Sequence, residues 1–201
     1  MNAVPSLPVE PRPRIEGDRE LEILNATLEV LSDVGYDRLT MDAVAARAKA
    51  SKATLYRRWN TKVALVIDAI VAHKGQSHIP DTGSLRGDLL ASSCGAGGFT
   101  DPKPIGLMGS IMTAINRDAD FAEAWRREFI EPKVAESRLM YERAQARGEI
   151  RPDLDIDLIA SAFAGIILHR IFVLGEPASA ESITTVIDQI VMPACRSSRL
   201  D

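Results

Sequence analysis

Apolar residues recur along most of the chain at spacings of three and four, which is the period of an α-helix with one buried face. Over residues 16–34, leucine and valine form such a stripe, and Gly35 follows it as a stop signal. Alternating runs rich in Val, Ile and Thr are missing, which argues against sheets. The pattern therefore predicts an all-α fold, with a three-helix N-terminal unit and a helical C-terminal unit.

Further apolar stripes predict a succession of helices after the first one. They fall at residues 41–48, 52–59, 61–75, 84–93, 104–117, 121–147, 156–174 and 180–195. Pro132 lies inside the longest of them, where a proline removes one hydrogen bond of the helix and costs about 3 kcal/mol. We therefore expect a kink or a split of this helix near Ile130.

Two segments interrupt the helical pattern and suggest the domain organisation. Residues 1–14 contain four prolines and no apolar core, so they are predicted to form a disordered arm and not a signal peptide. Loop-forming residues near position 79 favour a boundary between domains. The prediction is a first domain at residues 15–78 and a second domain at residues 79–201.

Positive charge is concentrated in residues 38–62, which contain seven Lys and Arg residues against Asp42 alone. The local net charge is therefore +6, although the whole chain carries −4. Phosphate contact is decided at the contacting surface, so the local charge matters more than the global sign. The segment is predicted to meet nucleic acid phosphates, with a solvated helix face as the alternative interpretation of its charges.

The same segment has the local signals of two short helices joined by a tight turn. Thr40 and Ser51 are predicted N-caps, because a hydroxyl there accepts a hydrogen bond from an unpaired backbone N–H. Leu55 and Trp59 lie four residues apart and form the inner face of the second helix. The cationic and hydroxyl side chains of that helix are left to point elsewhere.

The block from Leu21 to Leu65 resembles the DNA-binding domain of tetracycline-repressor (TetR) family transcription regulators. The resemblance lies in the helix-turn-helix and in its flanks, Leu-Ser-Asp-Val-Gly-Tyr-Asp-Arg-Leu-Thr and Leu-Tyr-Arg-Arg-Trp-Asn-Thr-Lys-Val-Ala-Leu. Lys49 and Ala53 stand where the family often has Gly. A Lys can occupy a left-handed turn conformation at a free energy roughly 1 kcal/mol or more above that of Gly, so the turn geometry is less secure than the two helices.

The resemblance implies a sequence-specific transcriptional regulator with an N-terminal helix-turn-helix domain and a C-terminal domain for ligand binding and dimerisation. It further implies a repressor that binds a palindromic double-stranded DNA operator as a homodimer, in the cytoplasm and on the nucleoid, and that responds to an unknown small-molecule effector. The alternative is a helical ligand-binding module or a small all-α enzyme without specific DNA readout. The glutamates of residues 123–136 form no defensible acid and base pair, so we expect no enzyme activity.

The resemblance also assigns contacts to individual side chains. Tyr56 is expected to donate its hydroxyl to the DNA backbone, and Trp59 is expected in the core with an N–H that reaches a phosphate. Base reading falls to the second helix, with Arg47 as an outlying candidate. The complete predicted DNA-binding set is Thr40, Arg47, Ser51, Lys52, Thr54, Tyr56, Arg57, Trp59 and Lys62.

The stripe at residues 156–174 is apolar nearly all round, so it must be buried on several sides or cross a membrane. It contains polar residues and falls short of about 20 clean apolar positions, which argues against the membrane. Small residues would allow another helix to approach closely, and the last helix offers a matching apolar stripe. The predicted homodimer interface is Ser161, Ala162, Gly165, Ile183, Ile187 and Ile190.

Several apolar side chains of the C-terminal region are candidates for an effector pocket, although an ordinary core needs the same residues. They are Leu107, Met108, Ile111, Met112, Trp125, Phe129, Phe163 and Ile167. His73, His78 and Asp81 match no metal-ligand spacing, so no metal and no other cofactor is expected. Cys94 and Cys195 are interpreted as free thiols.

Overall fold

The computed structural model describes residues 16–74, 79–94 and 98–196, and all regular structure within these ranges is helical. The helices are α1 (Glu16–Arg38), α2 (Met41–Arg47), α3 (Lys52–Arg58), α4 (Lys62–Lys74), α5 (Leu85–Ser93), α6 (Pro102–Arg117), α7 (Ala119–Trp125), α8 (Glu131–Ala146), α9 (Ile156–Phe172), α10 (Ala180–Val186) and α11 (Met192–Arg196). The predicted all-α fold is confirmed. The predicted arm at residues 1–14 lies outside the described residues.

The end of α1 differs from its prediction by one extra turn. Gly35 adopts φ +74°, which interrupts the helical backbone, and residues 36–38 then form a further turn before α2. The backbone N–H of Leu39 closes this turn by donating to the carbonyls of Gly35 and Tyr36, at 3.1 and 3.2 Å. The bend places the Tyr36 and Leu39 side chains in the core.

Hydroxyl caps begin both α2 and α3, as the sequence predicts. Thr40 Oγ1 accepts from the N–H of Ala43 at 3.1 Å, and Ser51 Oγ accepts from the N–H of Thr54 at 3.1 Å. Lys49 in the connecting turn has φ +50°, so this lysine adopts the left-handed conformation that costs a Lys more than a Gly. The Arg19 guanidinium donates to the Lys49 carbonyl at 2.8 Å and holds this strained turn against α1.

A first hydrophobic core joins α1–α4 to α6 and α7. Leu31, Leu55 and Leu65 are fully buried on the N-terminal side of this core. The helices that follow contribute Leu107, Ile111, Ala114, Phe121 and Trp125. The first core therefore contains residues from both sides of the domain boundary that the sequence predicts between residues 78 and 79.

A second core is formed by α5, α8, α9 and the C-terminal helices. It includes Leu89, Tyr141, Phe163 and Ile183. The Glu149 carboxylate caps α5 by accepting from the N–H of Leu85 at 2.9 Å. The chain entering α5 is thus fixed to the segment that follows α8.

Two prolines are accommodated by π-helical turns. Residues Arg126–Ile130 form such a turn directly before α8, whose first turn contains Pro132. This confirms the split expected near Ile130. A second π-turn, Ile187–Val191, precedes Pro193 and divides the last helix, which was predicted to be continuous. In both places the wider turn shifts the hydrogen-bond ladder just before a residue that has no N–H to donate.

Candidate DNA-binding interface

Helix α3 presents nearly all of its surface to solvent. Leu55 is its one buried residue, and Trp59, directly after the helix, is 2% exposed. These two apolar side chains anchor α3 to the first core. The polar side chains of the helix therefore face outward, and Tyr56 is 50% exposed.

Most cations of this surface are already paired with carboxylates of the same chain. Lys52 Nζ lies 2.6 Å from Asp42 Oδ2, and this hydrogen bond raises the pKa of Lys52. Arg58 lies 3.2 Å from Glu20 of α1. In the described part of the chain, Arg57 has no ion-pair partner. Its guanidinium is therefore the α3 cation with the least internal competition for DNA.

Arg47, predicted as an outlying base-reading residue, is paired with two carboxylates of the first helix. Its guanidinium pairs with Asp33 at 2.6 Å and with Glu29 at 3.1 Å, both on α1. The hydrogen bond to Asp33, followed by the one to Glu29, raises the pKa of Arg47. The two carboxylates therefore brace α2 against α1 through Arg47, and DNA would have to compete with them for its charge.

Trp59 and Lys62, both predicted to contact DNA, have partners within the chain. The Trp59 indole N–H donates to Asp68 Oδ2 at 2.8 Å, so that N–H is not free for a phosphate. Lys62 Nζ donates to the Tyr36 carbonyl at 3.1 Å and lies 4.0 Å from the centre of the Tyr36 ring. Both side chains position α4, and the backbone N–H groups at the start of α4 remain suited to an anion.

The hydroxyl side chains have structural partners but remain at the surface. Ser51 Oγ and Thr54 Oγ1 lie 2.8 Å apart at the start of α3. Thr40 is exposed at the start of α2. Because a hydroxyl has one donor and two acceptor sites, capping a helix leaves it able to bind DNA as well.

A polar contact between Tyr36 and Asp118, which the sequence did not reveal, ties the helix-turn-helix to α7. Tyr36 donates its hydroxyl to Asp118 Oδ2 at 2.7 Å, and its ring centre lies 4.7 Å from that of Phe121. Burial and then the hydrogen bond to Asp118 raise the pKa of Tyr36, and the same hydrogen bond lowers the pKa of Asp118. Beside it, Arg117 pairs with Asp37 at 2.5 Å. Tyr36, Asp37, Arg117 and Asp118 line an open cleft of about 370 Å³.

The predicted effector-pocket residues are not brought together. Five of them belong to the first core or pack against it, namely Leu107, Met108, Ile111, Trp125 and Phe129. Phe163 and Ile167 belong to the second core, and Met112 is exposed. The Trp125 and Phe129 rings stack at 4.1 Å, so they fill space between helices. We correct the prediction, because α6 and α7 bury their apolar faces against α1 and α4.

The second core contains a buried polar group that is not hydrogen-bonded. Tyr141 is completely buried, and among the described residues its hydroxyl has no hydrogen-bond partner. Burial raises the pKa of this phenol. Phe99 and Phe163 meet edge to face in the same core, with ring centres 6.1 Å apart. An unpaired buried hydroxyl costs about 1–3 kcal/mol and calls for an explanation.

The predicted dimer residues divide between an exposed face and the core. Ser161 and Gly165 are exposed on α9, close to Leu158, which is 68% exposed. Ala162 is half-buried, and Ile190 is 44% exposed. Ile183 and Ile187 are completely buried within the second core, so their assignment to a dimer surface is corrected. The apolar face of the last helices that contains Ile183 and Ile187 therefore packs on the core of its own subunit.

None of the described helices combines the length and apolar character needed to cross a membrane. No cluster of three or more His, Cys, Asp or Glu residues within the described ranges has the arrangement of a metal site.

The fold and the exposed α3 define a helix-turn-helix DNA-binding regulator. Residues 23–69 match the family of bacterial regulatory proteins called tetR, and residues 79–190 match the tetracyclin repressor-like C-terminal domain. The chain therefore belongs to the tetracycline-repressor family of transcriptional regulators, whose members bind DNA operators and act as dimers with small-molecule effectors.

Individual relatives agree with this assignment. The DNA-binding transcriptional repressor TetR of Mycobacteroides abscessus is 34% identical over 180 residues, which cover 89% of this chain and 94% of that protein. An uncharacterized HTH-type transcriptional regulator of Mycobacterium tuberculosis is 32% identical over 196 residues, 95% of this chain and 94% of that protein. The crystal structure of the TetR family transcription regulator SCO0332 superposes with a TM-score of 0.68 at 29% identity, over 87% of this chain and 97% of that chain.

Proposed function

We propose that this regulator is a ligand-responsive repressor that binds a palindromic operator as a homodimer, with α3 of each subunit in the major groove. The observation that carries the proposal is the exposed polar face of α3, which surrounds a single buried leucine. The repressor role is supported by the Mycobacteroides relative, which is described as a transcriptional repressor. Operator binding would place the protein on the nucleoid, in the cytoplasm.

Different side chains of the proposed interface have different tasks. Tyr56, Thr40 and the start of α4 are suited to phosphate contacts, which position the protein but carry no sequence information. Lys52 and Thr54 are suited to base edges, because the N-terminal part of a recognition helix lies deepest in the groove. Arg57 lies in the last turn of α3 and is suited to a base edge through its long side chain, which has no ion-pair partner among the described residues. In a twofold dimer, two such helices meet successive major grooves about 34–36 Å apart.

Replacement of Arg57 by Ala is expected to weaken specific operator binding by about 1–3 kcal/mol, since the uncompensated guanidinium is lost from the groove. The operator is first selected from a randomised duplex pool with the parent protein, and affinity is then measured at fixed salt. Arg127→Ala is the matched control. Arg127 is exposed, follows α7 in the sequence and pairs with Glu128 at 2.8 Å, so it lies outside the helix-turn-helix. Equal affinities of the two variants for the operator would show that α3 is misassigned.

We further propose that the effector binds in the second core, next to the Tyr141 hydroxyl. Phe163 and Ile167 remain in this proposed site, and Tyr141 supplies a hydrogen bond that no described protein group accepts. The second core is built from apolar side chains, so the matching ligand is a largely apolar molecule with at least one hydrogen-bond acceptor.

Replacement of Tyr141 by Phe is expected to have opposite effects on the free and the ligand-bound protein. Without ligand, the free energy of unfolding should rise, because an unpaired buried hydroxyl is removed. With ligand, the variant should gain less stability than the parent protein. For the parent, a ligand at a concentration of 100 times its Kd adds about 2.7 kcal/mol to the free energy of unfolding. The measurement is a thermal-shift screen of aromatic compounds with and without a carbonyl group. An unchanged response to every compound that stabilises the parent protein would exclude this site.

A further inference from the structure

We propose that Asp42 and Lys52 act together as one specificity element, which reads a single G·C base pair in each half-site with the ammonium on guanine and the carboxylate on cytosine. The inference rests on the proposed function, namely operator binding through α3. Lys52 is one of the predicted DNA contacts, whereas Asp42, the one acidic residue of residues 38–62, is not.

The local geometry places the two charged groups at the same point of the surface. Asp42 is the second residue of α2 and Lys52 is the first residue of α3. Their Oδ2 and Nζ atoms are 2.6 Å apart, although both side chains are more than half exposed. The caps at Thr40 and Ser51 fix the start of each helix. The pair therefore stands on two rigid elements and projects into solvent beside the outward face of α3.

The chemistry of a G·C pair matches this arrangement of one donor beside one acceptor. In the major groove, guanine presents N7 and O6 as acceptors, and the N4 amino group of cytosine lies next to O6 as a donor. O6 and N4 are hydrogen-bonded to each other, so they lie about 2.9 Å apart. An ammonium and a carboxylate whose tips nearly touch can meet these neighbouring atoms without separating.

An A·T pair fits the same two groups less well. It also places a donor beside an acceptor, at adenine N6 and thymine O4. Thymine offers the ammonium a single acceptor, whereas guanine offers two on one edge. The direction of the preference is therefore toward guanine on the Lys52 side.

The position of Asp42 also favours specificity over affinity. A carboxylate in a surface of net charge +6 repels phosphates and weakens binding to any duplex. That cost is recovered only where a cytosine amino group satisfies the carboxylate. Discrimination between sites is a difference of affinities, and a group that penalises the wrong site increases this difference.

The test compares the base preferences of the parent protein, Asp42→Ala and Glu29→Ala in selections from one randomised duplex pool. Glu29 is an exposed acidic residue on α1 that pairs with Arg47, so its loss changes the net charge equally without touching the proposed pair. Affinities of each protein for the selected operator and for an unrelated duplex then give the specificity ratio at fixed salt. Thermal unfolding checks that each variant is folded.

We expect Asp42→Ala to lose the G·C preference at one symmetric position of the operator and to lower the specificity ratio roughly ten- to hundredfold. Glu29→Ala should keep that preference. Asp42→Asn, which preserves the size of the side chain, should shift the position toward A·T, because an amide pairs with adenine. Unchanged base preferences in both Asp42 variants would overturn the inference and leave Asp42 as a structural charge at the start of α2. A parent protein that selects no sequence would overturn operator binding itself.

Discussion

Replacement of Gly165 by Glu is expected to convert the proposed homodimer into a folded monomer and to lower operator affinity at least about 100-fold. The affinity loss follows because a dimer holds its second recognition helix at a high effective concentration, which adds roughly two to four orders of magnitude to the affinity of one subunit. A monomer can contact only one half-site of the operator.

The surface around Gly165 explains why this substitution acts on the dimer and not on the subunit. A Cβ atom at this position would meet no atom within 4 Å, so the side chain has room in a single subunit. A helical Gly is also less stable than most other residues by roughly 0.5–1 kcal/mol. In the proposed interface, the new carboxylate would be buried without a partner, which is strongly unfavourable.

Sedimentation at micromolar concentration and operator titration measure the two effects of the Gly165 substitution. Gly109→Glu is the matched control, because Gly109 is an exposed helical glycine of α6 that also has no atom within 4 Å of an added Cβ. Gly165→Ala should keep the dimer. If Gly165→Glu sediments as a dimer like the Gly109 variant, the exposed face of α9 is not the subunit interface.

Local signals in the sequence were sufficient for the helix-turn-helix. The caps at Thr40 and Ser51 depend on residues three positions away, and the strain at Lys49 depends on its own φ angle. Leu55 and Trp59 are predicted as core by their spacing alone. Such properties are carried by short stretches of chain, so the sequence predicts them directly.

Properties that depend on distant neighbours were not accessible in this way. Periodicity shows that Ile187 and Trp125 lie on apolar faces, but it does not show which surface covers each face. The same limit applies to Arg47, whose partners Glu29 and Asp33 lie on another helix. A charged residue near a DNA-binding motif can serve DNA or its own fold, and only the three-dimensional contacts decide between them.

The shared first core suggests how a C-terminal effector site can reach the DNA-binding helices. Phe121 and Asp118 hold Tyr36, which lies four residues before the cap of α2, and Lys62 of α4 contacts the same tyrosine. A shift of α7 would therefore move both ends of the helix-turn-helix frame. A tenfold change in operator affinity requires only about 1.4 kcal/mol of coupling between the two sites.

Replacement of Phe121 by Ala is expected to lower the free energy of unfolding by about 3–5 kcal/mol, the usual cost of emptying a completely buried aromatic position. Phe121 is fully buried, and its ring centre lies 4.7 Å from that of Tyr36 and 6.4 Å from that of Trp125. Urea unfolding measures the total decrease in the free energy of unfolding. Since α7 completes the core of α1–α4, hydrogen exchange should also show lower protection of the Leu31 and Leu55 amides.

Val134→Ala is the control for the Phe121 substitution, because Val134 is an exposed apolar residue of α8 and its truncation should change stability by no more than about 0.5 kcal/mol. A helix-turn-helix with a self-sufficient core would respond differently to the loss of Phe121. In that case the amides of α1 and α3 would keep their protection while those of α7 and α8 lost theirs. Such a separation would show that α7 rests on the DNA-binding helices without stabilising them, and it would remove the physical basis for coupling through Tyr36.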